Sequence, residues 1–210
     1  MINNVPFYEN DGDGNQCLQV AARSVIKYFL GKDCSLEELD KLTKRKADLW
    51  TYTPQIVSVL HDLGLRVKYY SKEALESFLA GENYFRKHYG KDADKILKFT
   101  DVPIVVKSIK NLLNYGVFEN SKISIFSIEK YIEEGCVPIV LIDNNKIVGG
   151  DGSYQGHAVV ITGFDAEFIY YHDSGPRNPT SNKKVDKNTF IEAMDANGTD
   201  NDCVIVFGKR

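Results

Sequence analysis

The chain has 210 residues, 43% of them hydrophobic and 26% charged, and carries a net charge of -3. That length and mixture suit one globular domain, or two lobes sharing a core. The small, well-mixed negative charge offers no general attraction for nucleic acid or an anionic membrane, and the basic triplet Lys44, Arg45, Lys46 reads as solvated surface. The opening residues Met1 to Pro6 lack a basic region followed by an apolar one. The apolar run Ile139 to Ile142 is far too short to span a bilayer. The expectation is a cytoplasmic protein.

In chain order, a polar loop from Glu9 to Asn15 precedes apolar residues at Leu18, Ala21, Ala22, Val25, Ile26 and Phe29. That spacing is one face of an α-helix, which Gly31 stops. Ser35 with Glu38 forms a capping box for a second helix. Thr53 and Pro54 read as N-cap and first turn of a third, ending at Gly64. Arg66 to Tyr70 is a short strand, Ser71 to Tyr89 a helix with a break at Gly81, and Pro103 opens a helix reaching Tyr115. The segment Ser71 to Tyr115 is long enough to wall or cover a cleft, or to pack as ordinary core.

Beyond it the character changes. A helix from Ser127 to Glu134 leads to the apolar run Val137 to Ile142, suited to a buried strand. The loop Gly149-Gly150-Asp151-Gly152 follows, then two β-rich runs, His157 to Phe164 and Phe168 to His172, around a turn at Asp165-Ala166-Glu167. Thr189 to Ala196 reads as helix and Cys203 to Phe207 as a last strand. Helices first and an antiparallel sheet later predict an α+β fold. The chain reads as a single domain, 1–210, with a helical lobe over about 1–116 and a β-rich lobe over about 117–210.

Four cysteines are scattered without a CxxC pair, and Cys34, Cys136 and Cys203 read as small buried hydrophobes. Cys17 differs. With Asn15 as cap, it falls in a helix first turn, where unpaired N–H groups and the helix dipole favour a thiolate. His157 opens a strand after Gly156, beside a glycine-rich loop. If the hairpin turns about Asp165, His157 faces Asp173 across the strands, and the carboxylate reaches Nδ1 while the other ring nitrogen faces Cys17. Alternation sends His172 to the opposite face. His61 and His88 read as surface or structural. A zinc site from Cys17, His157 and Asp173 is the alternative use of those residue types.

The pieces Val5-Pro6-Phe7-Tyr8, Gln16-Cys17-Leu18-Gln19, Pro138-Ile139-Val140-Leu141, Gly156-His157-Ala158-Val159-Val160 and His172-Asp173-Ser174-Gly175-Pro176 occur in this order. In these the chain resembles the C39-like peptidases, a branch of the papain-like cysteine peptidase superfamily. The resemblance implies a papain-like cysteine peptidase fold, with a helical N-terminal part packed on a C-terminal antiparallel sheet. It also implies catalytic roles for Cys17, His157 and Asp173, cleavage of an amide bond in a peptide or protein substrate, and no cofactor. An acyltransferase with the same site, or an inactive peptide-binding domain, are the alternatives. Leu18 stands where the family often has Gly. Asp11 stands six residues before the cysteine, where papain-like enzymes usually place a Gln that donates to the oxyanion. The donor is therefore expected elsewhere in the loop Asn10 to Gln16.

Overall fold

The computed structural model describes residues 2–150 and 152–210. Its helices are α1 (Cys17–Leu30), α2 (Leu36–Thr43), α3 (Thr53–Asp62), α4 (Glu82–Tyr89), α5 (Ala93–Lys98), α6 (Val102–Tyr115), α7 (Ile125–Glu133), α8 (Asn144–Val148) and α9 (Lys187–Met194). The strands are β1 (Leu65–Ser71), β2 (Phe118–Asn120), β3 (Val137–Asp143), β4 (Gly156–Phe164), β5 (Phe168–Asp173), β6 (Thr180–Asp186) and β7 (Cys203–Lys209). They form one sheet in the order β2-β1-β7-β3-β4-β5-β6. The fold is α+β. The sheet is mixed and not wholly antiparallel as expected, because the short β2 pairs parallel with β1. β1 comes from the helical N-terminal half and pairs antiparallel with β7, so the sheet draws on both halves of the chain.

Local chemistry explains most of these elements. The Ser35 hydroxyl accepts from the Glu38 N–H at 3.1 Å, and the Glu38 carboxylate accepts from the Ser35 N–H at 2.8 Å. Gly31 ends α1 in the left-handed conformation that glycine adopts without strain. At α3 the cap position belongs to Tyr52, and Thr53 is already helical. Thr53 bonds instead to the buried Asp202. Ser71 ends β1, so the expected long helix from Ser71 is split into a 3-10 turn, Leu75–Ala80, and α4, with Gly81 between them. Of the expected glycine-rich loop, Gly149 caps the unexpected helix α8, and Asp151 lies outside the described residues.

Both faces of the sheet are buried, which is why β3 and β7 read as continuous apolar runs. Ala158 and Val160 of β4 pack with Ala22, Val25 and Ile26 of α1 on one face. Val159 and Ile161 pack on the other with Ile128 and Ile132 of α7 and Phe190 of α9. Pairing fixes which strand ends meet. The C-terminal ends of β1, β3 and β5 and the N-terminal ends of β7, β4 and β6 lie along one end of the sheet. That end gathers Ser71, Asp202, Asp143, His157 and Asp173. No helix among the described residues is long and apolar enough to cross a membrane.

Candidate active site

The loop before Cys17 is held by side chains from α2 and beyond. Arg45, whose side chain is 1% exposed, pairs with Asp13 and with Asp40 at 3.0 Å. It also donates to the Leu49 carbonyl at 2.7 Å. Gln16 donates to Asp40 at 2.9 Å and accepts from the Asp13 N–H at 3.2 Å. Asn15 does not cap α1 as expected. Gln16 takes the cap position without a side-chain cap bond, and the Asn15 N–H donates to Asp13 at 2.9 Å. Cys17 is thereby the first helical residue, half-buried, in the turn where N–H groups lack helical partners.

Burial would raise the Cys17 thiol. The adjacent His157 imidazole and the N–H groups of Ala158 and Leu18 outweigh it and hold the thiol below its ordinary range. For His157, burial works against the charged ring. The Asp173 carboxylate and Cys17 overcome it and push the imidazole up to about 9. His157 Nε2 lies 3.0 Å from Asp173 Oδ1. This reverses the expected ring orientation, in which Nδ1 faced the carboxylate. Nδ1 is left for the thiol. Burial would raise Asp173, but His157, Lys183 and the Gly175 N–H hold it well below the usual carboxylate range. Lys183 Nζ lies 2.8 Å from Asp173 Oδ2.

The hairpin register also differs from expectation. Val160 pairs with His172 and Ile161 with Tyr171, but Gly163 pairs with Tyr170 and Phe164 with Ile169. Thr162 is the extra residue of a β-bulge. Beyond the bulge Asp173 is a diagonal neighbour of His157 and not its direct partner. His172 stands on the other face, as alternation required, where its Nε2 lies 2.8 Å from the Val5 carbonyl. Cys17, His157 and Asp173 are arranged in series and do not converge on a point. No three His, Cys, Asp or Glu side chains among the described residues form a metal-binding group.

Asn10 is 7% exposed, and its Nδ2 and Oδ1 both lack a hydrogen-bond partner. Its backbone N–H donates to the Ser174 carbonyl at 2.8 Å, which ties it beside Asp173. Asp11, by contrast, is exposed. Cys34, Cys136 and Cys203 are buried and free. Sequence reasoning missed Lys183, because β6 has no apolar alternation to reveal it as a strand. It also missed a group of carboxylates, Glu73, Asp200 and Asp202, where β7 begins. Glu73 is near Asp200 and Asp202 in space but far from both in the chain.

Residues 14–206 match the sequence family described as guanylylate cyclase. The chain belongs to that family. No curated protein matches this guanylylate cyclase family chain. Among solved structures it is similar to the peptidase domain of Streptococcus ComA, a bi-functional ABC transporter involved in a quorum-sensing pathway. The TM-score is 0.52 at 13% identity, over 98% of this chain and 100% of that one. The likeness is one of fold, and it gives the family member a papain-like architecture.

Proposed function

We propose that the chain is a cysteine hydrolase that cleaves an amide bond, in a peptide or protein, through a thioester acyl-enzyme. The observation that carries this reading is the series Cys17, His157, Asp173, Lys183 at one end of the sheet, with His157 Nε2 3.0 Å from Asp173. His157 takes the Cys17 proton, and the resulting thiolate attacks the substrate carbonyl. The tetrahedral oxyanion collapses to a thioester as His157 returns its proton to the leaving amine. Water, deprotonated by His157, then releases the acid. Asp173 holds the ring with one nitrogen toward sulfur and stabilises its charge, and Lys183 fixes Asp173. Asn10 is the candidate oxyanion donor, because its buried amide has a free N–H pair.

The family description gives a second reading, cyclisation of a guanine nucleotide. A thiol beside an imidazole is suited to acyl transfer, which favours the first reading. One experiment separates the two. The chain is incubated with a peptide library and quenched in acid, and the Cys17 peptide is weighed by mass spectrometry. A parallel sample with GTP is analysed for cyclic nucleotide. An acyl adduct on Cys17, lost in Cys17→Ala, supports the hydrolase. Diversion of that acyl group to an added amine would make the chain a transferase. Cyclic nucleotide with no adduct would sink the proposal.

A further inference from the structure

The N-terminal segment that ends at Asn10 is fastened to the β-rich half at intervals. The Asn3 N–H donates to the Thr162 carbonyl at 2.6 Å, and the Asn10 N–H to the Ser174 carbonyl at 2.8 Å. Between these ties the segment is held by His172, which is 5% exposed. Its Nε2 lies 2.8 Å from the Val5 carbonyl, and its ring centroid 5.2 Å from that of Phe7. Its Nδ1 lies 3.1 Å from the backbone nitrogen of Asn182. A carbonyl can only accept and a backbone N–H can only donate. His172 is therefore neutral, with its proton on Nε2, donating to Val5 and accepting from Asn182. The backbone is shaped for this contact. β5 and β6 lose register between Tyr171 and Asp173, and there Asn182 takes a φ of 48°, in the left-handed region.

A second proton has no place on this ring. On Nδ1 it would meet the Asn182 N–H, donor against donor. No carboxylate faces the ring to offset the charge. A cavity of about 10 Å³, room for one water, lies beside it, lined by Tyr8, by Ser24 of α1, by Ala158 and Val160 of β4 and by Ser174. No charged side chain among the described residues lines that cavity. Asp173 and Lys183 pair with each other at 2.8 Å on the His157 side. Arg23 lies over the Tyr8 ring, 3.9 Å from its centroid, and pairs with Asp33 at 3.0 Å. Glu9 and Arg177 are exposed. Burial accordingly holds His172 below the ordinary imidazole range, and the Val5 carbonyl offsets this only in part. Once acid does protonate the ring, the Asn182 contact must break. Without His172 the stretch from Val5 to Asn10 keeps the buried Val5 side chain, the stacking of Tyr8 on Arg23 and the one backbone bond of Asn10.

We propose that neutral His172 is a positioning residue for Asn10: it clamps the segment from Asn3 to Asn10, and a second proton on its ring loosens that segment and takes the oxyanion donor out of place. This rests on the reading of Cys17 as nucleophile and Asn10 as donor. Two reagents separate the steps. p-Nitrophenyl acetate acylates Cys17 through an oxyanion and expels a leaving group that needs no proton, whereas iodoacetamide alkylates it without an oxyanion. The ratio of the two rates cancels the thiolate population, and with it the titration of Cys17 and His157. Between about pH 7 and about pH 4.5 the wild-type ratio should fall about 10²-fold, with circular dichroism unchanged. Its midpoint should match the titration of the His172 ring followed by NMR. His172→Gln, which can donate and accept in the same places without titrating, should hold the ratio level, and Asn10→Ala should show the low ratio at every pH. Protection of the Asn3 and Asn10 amides from hydrogen exchange should fall with acid in the wild type and persist in His172→Gln. A flat wild-type ratio, a midpoint that departs from the His172 titration, or the same acid response in His172→Gln overturns the clamp. A wild-type ratio in Asn10→Ala sinks the donor reading instead, and a Cys17 inert to both reagents sinks the hydrolase reading. In either case amide protection alone decides whether His172 holds the segment.

Discussion

Asp173 sits 3.0 Å from the Nε2 of His157 although the two residues are diagonal neighbours across β4 and β5. The extra residue at Thr162 sets this. Without it, the turn-proximal register, which pairs Phe164 with Ile169, would bring His172 onto the His157 face and turn Asp173 away. Thr162 is also where the N-terminal segment docks, its carbonyl accepting from the Asn3 N–H at 2.6 Å.

Replacing Asp173 by Asn should keep an acceptor for the ring and remove the charge that favours its protonation. The upper limb of a pH profile for Cys17 alkylation, near 9 in the wild type, should then move down toward the ordinary imidazole range. Because folded His157 holds its proton more tightly than unfolded, its contribution to stability is full below about 6.5 and is lost as pH rises through about 9. The Asn variant should show a shallower loss of melting temperature over that window. For Asp173→Ala, turnover should fall by roughly 10²–10⁴. An unaltered pH profile in the Asn variant would remove Asp173 from the mechanism.

Cys17 should be alkylated first among the four thiols at pH 7. Its thiol is held below the ordinary range by His157 in spite of burial. Burial instead raises Cys136, up to about 11, and Cys203, and Cys34 is 0% exposed. Limited iodoacetamide treatment with peptide mass mapping gives the order. The thiolate–imidazolium pair should persist from below the usual thiol range up to about 9. Prior labelling of any other cysteine contradicts the assignment.

Asn10→Ala should lower the rate of acylation by about 10²–10³ if its amide meets the oxyanion. The same change should leave the melting temperature unchanged or raised, since it removes a buried amide with no partner. Asp11→Gln should do little, because Asp11 is exposed. A slow Asn10→Ala enzyme that is also strongly destabilised would point to a structural role. A fast one would move the donor elsewhere.

Arg45→Met should loosen the turn that presents Cys17. Its guanidinium is buried and joins Asp13, Asp40 and the Leu49 carbonyl. Loss of that hub leaves two carboxylates facing each other, for a cost of about 2–4 kcal/mol once their partial exposure is allowed for. Chemical denaturation measures the cost. Alkylation of Cys17 at pH 7 should slow in parallel, and a stability change without any slowing would separate the loop from the site.

The parts legible in the sequence were those whose cause is local. The Ser35–Glu38 box, the stop at Gly31 and the break at Gly81 each depend on residues a few positions apart. Strand alternation set His172 on the face opposite to Asp173. What escaped depends on distant residues. Asn15 loses its capping role to contacts with Asp13, and Thr53 loses its own to Asp202, 149 positions away by subtraction of their numbers. β6 escaped because six of its seven residues avoid burial, leaving Val185 alone to mark it. The register of β4 on β5 escaped because a bulge leaves no compositional trace here. Its extra residue, Thr162, is β-branched and fits a regular strand as well as an irregular one.

The two rims of the sheet have a consequence for how copies of this chain behave toward one another. An open rim offers unpaired N–H and C=O groups to any strand that arrives, the first step of edge-to-edge aggregation. On one side the rim is β2, only 3 residues long. On the other it is β6, polar and mostly exposed, where Lys183 reaches Asp173 and the Lys184 ammonium lies 3.6 Å from the Phe168 ring centroid. One rim is too short to template a neighbour and the other bears charge that a second copy would have to oppose. The lysine that steadies Asp173 thus also helps keep the chain dispersed.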